Sequence, residues 1–292
     1  MNSILIEELR PQKFNFEKKS WNEETDATTS ITATELTFVT YNVWLVKYYF
    51  KERCEALLKI VFDCDADVIG WQEVTPIFLK IILKQEWVRD SYYVSDATGL
   101  TVQGYGVLLL SRLPIRRMFL HNLPTLMSRK LLVAELWVNE QTFNVATVHL
   151  ESLKQSAPLR AEQLAEIFPL LSKSEHSVLM GDFNFCSSWN RENANIDSSY
   201  QDLWAVLRSG EPGYTEDTDI NLMRLHLAGK EKQVRFDRIL LCSFSSQWQP
   251  QSIKLLGVKP ISQKYRYRKV FPSDHFGLVG SIAWQPNSDE AS

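Results

Sequence analysis

Eight polar residues stand where apolar runs of the chain end: Asn42, Glu73, His149, Ser152, Asp182, Asn184, Asp274 and His275. Asp182 and Asn184 close the stretch SVLMGDFNF, in which Val178-Leu179-Met180 before Gly181 reads as a buried strand ending in a turn. With one residue between them, their side chains point to the same side of an extended chain. They sit at the C-terminal lip of a strand, where α/β proteins commonly place their sites. Asp182 can take a proton or a metal, and Asn184 can donate to a phosphate or hold a water. Glu73, Asp182 and Asp274 on one rim would be three acids together, costly unless a cation neutralises them. An all-oxygen donor set favours Mg²⁺ or Mn²⁺ over zinc. Two histidines among the carboxylates can hydrogen-bond or donate charge to a phosphoryl oxygen. That set suits metal-assisted phosphoester hydrolysis. Singly, each residue has a structural alternative: turn formers at Asn42, Asp182 and Asp274, a helix cap at Glu73, a core histidine at His149, a surface serine at Ser152. Their joint position at strand ends is what favours chemistry.

The elements that must position these residues follow from periodicity. LTFVTYNV, from Leu36, alternates as a strand and ends near Asn42; Lys51–Asp63 has a helical apolar face of Leu57, Leu58, Ile60 and Val61. DVIGWQEV is a strand that delivers Glu73, and a helix is expected from Pro76 to Lys84. Strands are predicted at Tyr105–Ser111, Ile115–His121, Leu131–Val138 and Thr142–His149, then a helix over Pro158–Leu171 that Pro169 should kink or end. Residues 186–232 read as polar loop with one short helix near Leu203–Leu207. VRFDRILLCSF is a strand carrying Asp237, and a basic loop with Lys264, Arg266, Arg268 and Lys269 leads to FPSDHFGLVGSIAW, the last strand. The pattern predicts one α/β domain over 36–284, two sheets between helices. Residues 1–35 are expected to be a polar arm without fixed structure, apart from local docking by Phe14, Phe16 and Trp21, and residues 285–292 a frayed tail.

Composition narrows the class. A net charge of −3 over 292 residues argues against broad non-specific coating of nucleic acid, though not against a local phosphate site. Cys54, Cys64, Cys186 and Cys242 form no CxxC pair, so neither a zinc cage nor a disulfide framework is expected. No stretch reads as a secretory signal or approaches a membrane span. The expected protein is an intracellular monomer away from membranes, cytoplasmic or, in a eukaryote, nuclear.

In chain order, TYNVW, GWQEVT, VHLES, GDFNF, RFDRI and PSDHFGL resemble the motifs of the endonuclease/exonuclease/phosphatase superfamily, from Leu36 to Trp284. GDFN and SDH are specific to the superfamily rather than to a substrate. Three details look like one branch, the 5′-tyrosyl-DNA phosphodiesterases. HLES carries a serine after the histidine, followed by a helix with Arg160 and Gln163. PGYTEDTDINL, which holds Tyr214, is similar to that branch's PGYTWDT and the apolar residue after it, here Leu222. RFDRI is followed by SIKLLGVKPI and FPSDHFGL. The resemblance implies a four-layered α/β sandwich of two mixed sheets flanked by helices. It implies that Glu73 and Asp274 hold Mg²⁺, with Mn²⁺ able to substitute, and that Asp182 orients and deprotonates the attacking water with Asn184 beside it. It further implies that Asn42 supports the metal site or the nucleophile, that His149, Ser152 and His275 grip the phosphate, and that Asp237 orients His275. Tyr214, Glu216 and Leu222 would lie on the substrate side. The substrate implied is a single-stranded DNA 5′ end carrying a tyrosyl adduct, hydrolysed in DNA repair.

Two positions depart from the branch. Glu216 stands where the branch has the tryptophan of TWDT, an aromatic used near the DNA strand, and TYNVW replaces TWN-hydrophobic-Asp. Both bear on substrate rather than chemistry. The alternatives are another superfamily hydrolase (abasic-site endonuclease, deadenylase or small-phosphoester phosphatase) and an inactive binding module. All three acids and both histidines are present, which speaks against the inactive module.

Overall fold

The structure, a computed structural model, describes residues 6–24, 27–243, 246–261 and 269–285. In chain order the strands are β1 (Ile6–Leu9), β2 (Gln12–Asn15), β3 (Ser20–Glu23), β4 (Glu35–Asn42), β5 (Val68–Val74), β6 (Tyr93–Val94), β7 (Gly106–Ser111), β8 (Arg117–Asn122), β9 (Lys130–Val138), β10 (Gln141–His149), β11 (His176–Asp182), β12 (Gln201–Asp202), β13 (Glu216–Asp217), β14 (Gln233–Val234), β15 (Asp237–Ser243), β16 (Trp248–Leu256) and β17 (Gly277–Trp284). The helices are α1 (Phe50–Phe62), α2 (Pro76–Ile82), α3 (Glu86–Ser91), α4 (Ala157–Leu171), α5 (Asn190–Asn193), α6 (Leu203–Leu207) and α7 (Leu222–Ala228). One sheet has the order β1-β8-β9-β10-β11-β15-β12 and the other β16-β17-β4-β5-β7-β6-β2-β3, while β13 and β14 pair as a separate ribbon.

Alternation along the strands sorts the apolar residues into layers. Phe38, Leu109, Phe143, Val178, Met180 and Ile239 face inward and lock the two sheets together. Their neighbours Val39 and Tyr41 face outward, onto Leu57, Leu58 and Val61 of α1 and Phe78 of α2. On the other sheet Val148 and Leu179 face outward, onto Leu164, Ile167 and Leu171 of α4. Each such side chain, fully buried, stabilises the fold by about 1.5–3 kcal/mol. The layers run helix, sheet, sheet, helix, the expected four-layered sandwich. One polar bridge crosses its centre: Gln72 of β5 donates to Thr147 Oγ1 of β10 at 3.0 Å and to Thr40 Oγ1 of β4 at 3.0 Å.

The N-terminal segment corrects the expectation of an unstructured arm. β1 pairs with β8 at the edge of one sheet, and the β2–β3 hairpin adds to the other through β6. Composition misses this because an edge strand needs backbone partners on one side only and little apolar content. Phe14 and Trp21 anchor the hairpin edge to face, 5.4 Å apart, with Arg89 over Phe14 and Lys13 over Tyr93. β16 also escaped the sequence reading: it is an outer strand with Pro250 at a bulge, where Pro is tolerated. Of the basic loop, Lys264, Arg266 and Arg268 lie outside the described residues, as does the tail from 286. No helix among the described residues is long and apolar enough to cross a membrane, and the four cysteines are unpaired.

Candidate active site

Two β-α-β units build the rim. β4 and β5 are parallel and joined through α1; β10 and β11 are parallel and joined through α4. Asn42 ends β4 and His149 ends β10 directly beside Asp182, the last residue of β11. Glu73 sits at a register shift in β5 with φ +60°, and such a bulge re-aims a side chain. Gly181, at φ +146°, lets β11 pass β10: a Cβ there would lie 1.9 Å from the Val148 carbonyl oxygen.

Asp182 is the hub. Its Oδ2 accepts from Asn42 Nδ2 at 3.0 Å and lies 3.3 Å from His149 Nε2; its Oδ1 accepts from the Asn184 N–H at 2.9 Å. Burial would raise its pKa, but His149 and His275, with these hydrogen bonds, hold it below the usual carboxylate range. Asn42 Nδ2 also reaches Glu73 Oε1 at 3.2 Å, and Glu73 Oε2 accepts from the Leu45 N–H at 2.9 Å. Asn184, at φ +55°, spends its Nδ2 on the Leu150 carbonyl, 2.9 Å away.

The two histidines carry different charge. Arg129 Nη1 lies 2.9 Å from His149 Nδ1 and Nη2 donates to Ser152 Oγ at 2.7 Å. A guanidinium only donates, so Nδ1 accepts and the His149 proton resides on Nε2, facing Asp182. Burial, with Arg129 and His275, pushes His149 down to about 4 against the pull of Asp182, so it is neutral. His275 behaves oppositely. Burial works against its charge, but Asp237 and Asp182, with the hydrogen bonds it donates to Asp237 and Glu216, hold it protonated well above the ordinary value.

Glu216 turns into this cluster. It is 3% exposed, with Oε1 2.8 Å from Lys232 Nζ and 3.2 Å from His275 Nε2, and Oε2 3.3 Å from Arg224 Nε. Despite burial, these three cations keep its carboxyl far below the usual range. Arg224 Nε also reaches Asp274 Oδ2 at 3.5 Å. Burial, with Glu216 and Glu73, pushes Asp274 up to about 7 in spite of His275 and Arg224. Glu73, Asp182, Glu216, Asp274, both histidines, Ser152 and Asn184 line one cavity of about 620 Å³.

The Endonuclease/Exonuclease/phosphatase family matches residues 39–275. The chain belongs to this family. It is 28% identical to tyrosyl-DNA phosphodiesterase 2 of Xenopus laevis over 83% of this chain and 65% of that one, and 29% identical to the Homo sapiens protein of that name over 94% and 79%. The chain thus spans just under two thirds of the Xenopus laevis relative. Among solved structures, D. rerio tyrosyl-DNA phosphodiesterase 2 complexed with single strand DNA product superimposes with a TM-score of 0.70 and 24% identity, over 86% of this chain and 99% of that one. A humanized form of the same D. rerio protein gives 0.71 and 22%. These likenesses show the family's fold.

Within that family frame, the structure gathers Glu73, His149, Ser152, Asp182, Asn184, Glu216, Asp274 and His275 around the cavity. Asn42 and Asp237 lie behind it, holding Asp182 and His275. Tyr214 and Leu222 do not line it: Tyr214 is half-buried, and Leu222 opens α7, whose far end, Ala228, reaches the rim. Sequence reasoning missed Arg129, Arg224, Lys232 and Arg53. Arg53 is buried and donates to the carbonyls of Val43, Trp44, Val46, Tyr48 and Pro272, fixing the loop after β4 to the turn before Asp274. No local motif marks these residues; a buried arginine on an apolar helix face was the one available signal for Arg53.

The donor set fits a hard divalent cation. Glu73 and Asp274 offer carboxylate oxygens in one cavity, and burial, with Glu216 and Glu73 nearby, raises the Asp274 carboxyl, which a cation's charge would lower. Asp182, Asp237 and His275 also bring potential ligand atoms within 4.8 Å. Asp237 is engaged with His275 Nδ1 at 2.8 Å and does not line the cavity.

Proposed function

We propose that this chain is a Mg²⁺-dependent phosphodiesterase that hydrolyses the bond between a 5′-phosphate of single-stranded DNA and a tyrosyl side chain. The observation that carries the reading is Asp182, ionised and fixed between a neutral and a charged histidine in a cavity with three further carboxylates, Glu73, Glu216 and Asp274. The curated relatives named tyrosyl-DNA phosphodiesterase 2, one of them solved with a single strand DNA product, support the substrate.

Asp182 orients a water toward phosphorus. The water oxygen–phosphorus bond forms as the phosphorus–tyrosyl oxygen bond breaks, and the water proton passes to Asp182. The phenolic oxygen, with a pKa near ~10, leaves with its electron pair. With a loose transition state, orientation matters more than basicity, so the low pKa of Asp182 is no obstacle. His275 supplies positive charge to the phosphoryl oxygens, and Ser152, held by Arg129, lines the same cavity. Glu73 and Asp274 would hold the Mg²⁺, which neutralises charge on the non-bridging oxygens.

A panel of oligonucleotides assayed with purified protein and Mg²⁺ tests the reading: 5′-phosphotyrosyl single strand, abasic duplex, polyadenylate, and a small phosphomonoester. The 5′-phosphotyrosyl substrate should give the highest kcat/KM. A higher value on the abasic duplex would move the chain to the endonuclease alternative.

A further inference from the structure

The reaction cavity does not end at Lys230 and Lys232. It shares Trp189 and Lys154 with a neighbouring groove of about 650 Å³ between the N-terminal end of α4 and α5, lined also by Asn190, Arg191 and Asn195. Of the aromatics lining the reaction cavity, Phe236 is buried, with Lys232 Nζ 4.3 Å from its ring centroid. Trp189 is half-buried and stands edge to face on Phe236, with centroids 6.0 Å apart. Its backbone carbonyl accepts from the N–H groups of Glu192 and Asn193, which fixes the residue at the start of α5. The groove is also cationic. Lys154 and Arg191 are exposed on it, whereas its one carboxylate, Glu192, is neutralised by Arg160 at 2.6 Å.

We propose that Trp189 is the base-stacking platform for the nucleic-acid strand attached to the reacting phosphate, which runs from the cavity over this ring into the Lys154–Arg191 groove. The inference rests on the proposed nucleic-acid substrate. A phosphate diester strand needs a cationic track and a π-face for its bases, and here a tryptophan and two lysine or arginine side chains line the groove that joins the reaction cavity. Trp189 thereby supplies the stacking surface that Glu216, turned inward onto His275, does not.

The test is equilibrium binding of a fluorescein-labelled 5′-phosphorylated single-stranded oligodeoxynucleotide, read by anisotropy, with cleavage of a 5′-phosphotyrosyl oligonucleotide followed separately. Trp189→Ala should weaken binding by about 5- to 150-fold, the range measured for removing one base–aromatic stack, and Trp189→Phe should recover most of it. A merely structural Trp189 would lower the melting temperature of Trp189→Ala without this ordered loss and rescue. Because Trp189 also packs on Phe236, a second variant avoids the core: Lys154→Glu with Arg191→Glu should weaken binding and flatten the salt dependence by ~0.7 in log–log slope for each phosphate that is no longer neutralised. Wild-type affinity and slope in that double variant, or wild-type affinity in Trp189→Ala, would overturn the proposal and leave the substrate reading standing if cleavage persists. A wild-type protein that cleaves the tyrosyl substrate yet binds no oligonucleotide would also overturn it. Loss of both binding and cleavage in the wild type would sink the substrate reading itself.

Discussion

Asp237 and His275 meet across the junction of the two sheets, with Oδ2 2.8 Å from Nδ1. Asp237 opens β15 in one sheet, and His275 lies just before β17 in the other. The contact fixes the ring and its charge and turns Nε2 toward the cavity, where it meets Glu216 Oε1 at 3.2 Å, a partner that a phosphoryl oxygen would share or displace.

Removing that carboxylate should therefore act through pH. His275 keeps its proton above the ordinary histidine range against strong burial because Asp237, Asp182 and the hydrogen bonds it donates to Asp237 and Glu216 act together. In Asp237→Asn the imidazolium should deprotonate at lower pH, so the alkaline limb of the kcat profile should move down while the acid limb stays. Profiles of wild type and variant on the 5′-phosphotyrosyl substrate decide this; coincident alkaline limbs would separate Asp237 from the charge on His275.

Asp182→Asn keeps the shape of the hub and removes its charge. We expect kcat to fall by ~10²–10⁴, the usual contribution of a positioned acid or base, with circular dichroism unchanged. A folded variant with wild-type turnover would remove Asp182 from the reaction.

Chelation should abolish turnover, and added Mg²⁺ or Mn²⁺ should restore it. Glu73→Gln and Asp274→Asn should each raise the Mg²⁺ concentration needed for half-maximal activity, more than they change KM for the oligonucleotide. Full activity in metal-free protein would end the metal reading.

Stability should depend on pH through His149. Its pKa is about 4 in the folded chain against 6.5 for the free side chain, so between those values the unfolded chain binds the proton first. Stability present above pH 6.5 is therefore lost as pH falls toward 4, by up to about 3 kcal/mol. Burial lowers His121 and His176 in the same direction, so His149→Gln should remove only part of the slope. Denaturant titrations of both proteins at pH 7.5 and pH 5 measure it; equal pH losses in the two would exclude His149 as a contributor.

The strand ends of the site were legible because each follows an apolar run of period two or a continuous buried run, so Asn42, Glu73, His149 and Asp182 could be placed from sequence. Asp237 and His275 needed the resemblance to be paired, since 38 residues separate them. The resemblance put Glu216 on the substrate side, but its turn onto His275 could not be read from the sequence. Its cations, Arg224 and Lys232, lie in a stretch whose polarity reads as loop, and only the short β13–β14 ribbon turns the carboxylate inward. Arg129 escaped because its partners, His149 and Ser152, lie 20 and 23 residues on, across a strand pairing that local pattern cannot reveal.

The position of β17 governs the order in which the molecule can be assembled. It lies between β16 and β4 in its sheet, and Ser273 just before it donates to the Asn42 carbonyl 231 residues earlier. A chain leaving the ribosome therefore carries Glu73, His149 and Asp182 long before Asp274 and His275 exist. Until β17 arrives, β4 waits with one edge unpaired, and an open edge is a template for wrong pairing. Contacts this distant in sequence also form slowly. The active site is therefore completed last, when β17 docks between β16 and β4 and brings His275 onto Asp237.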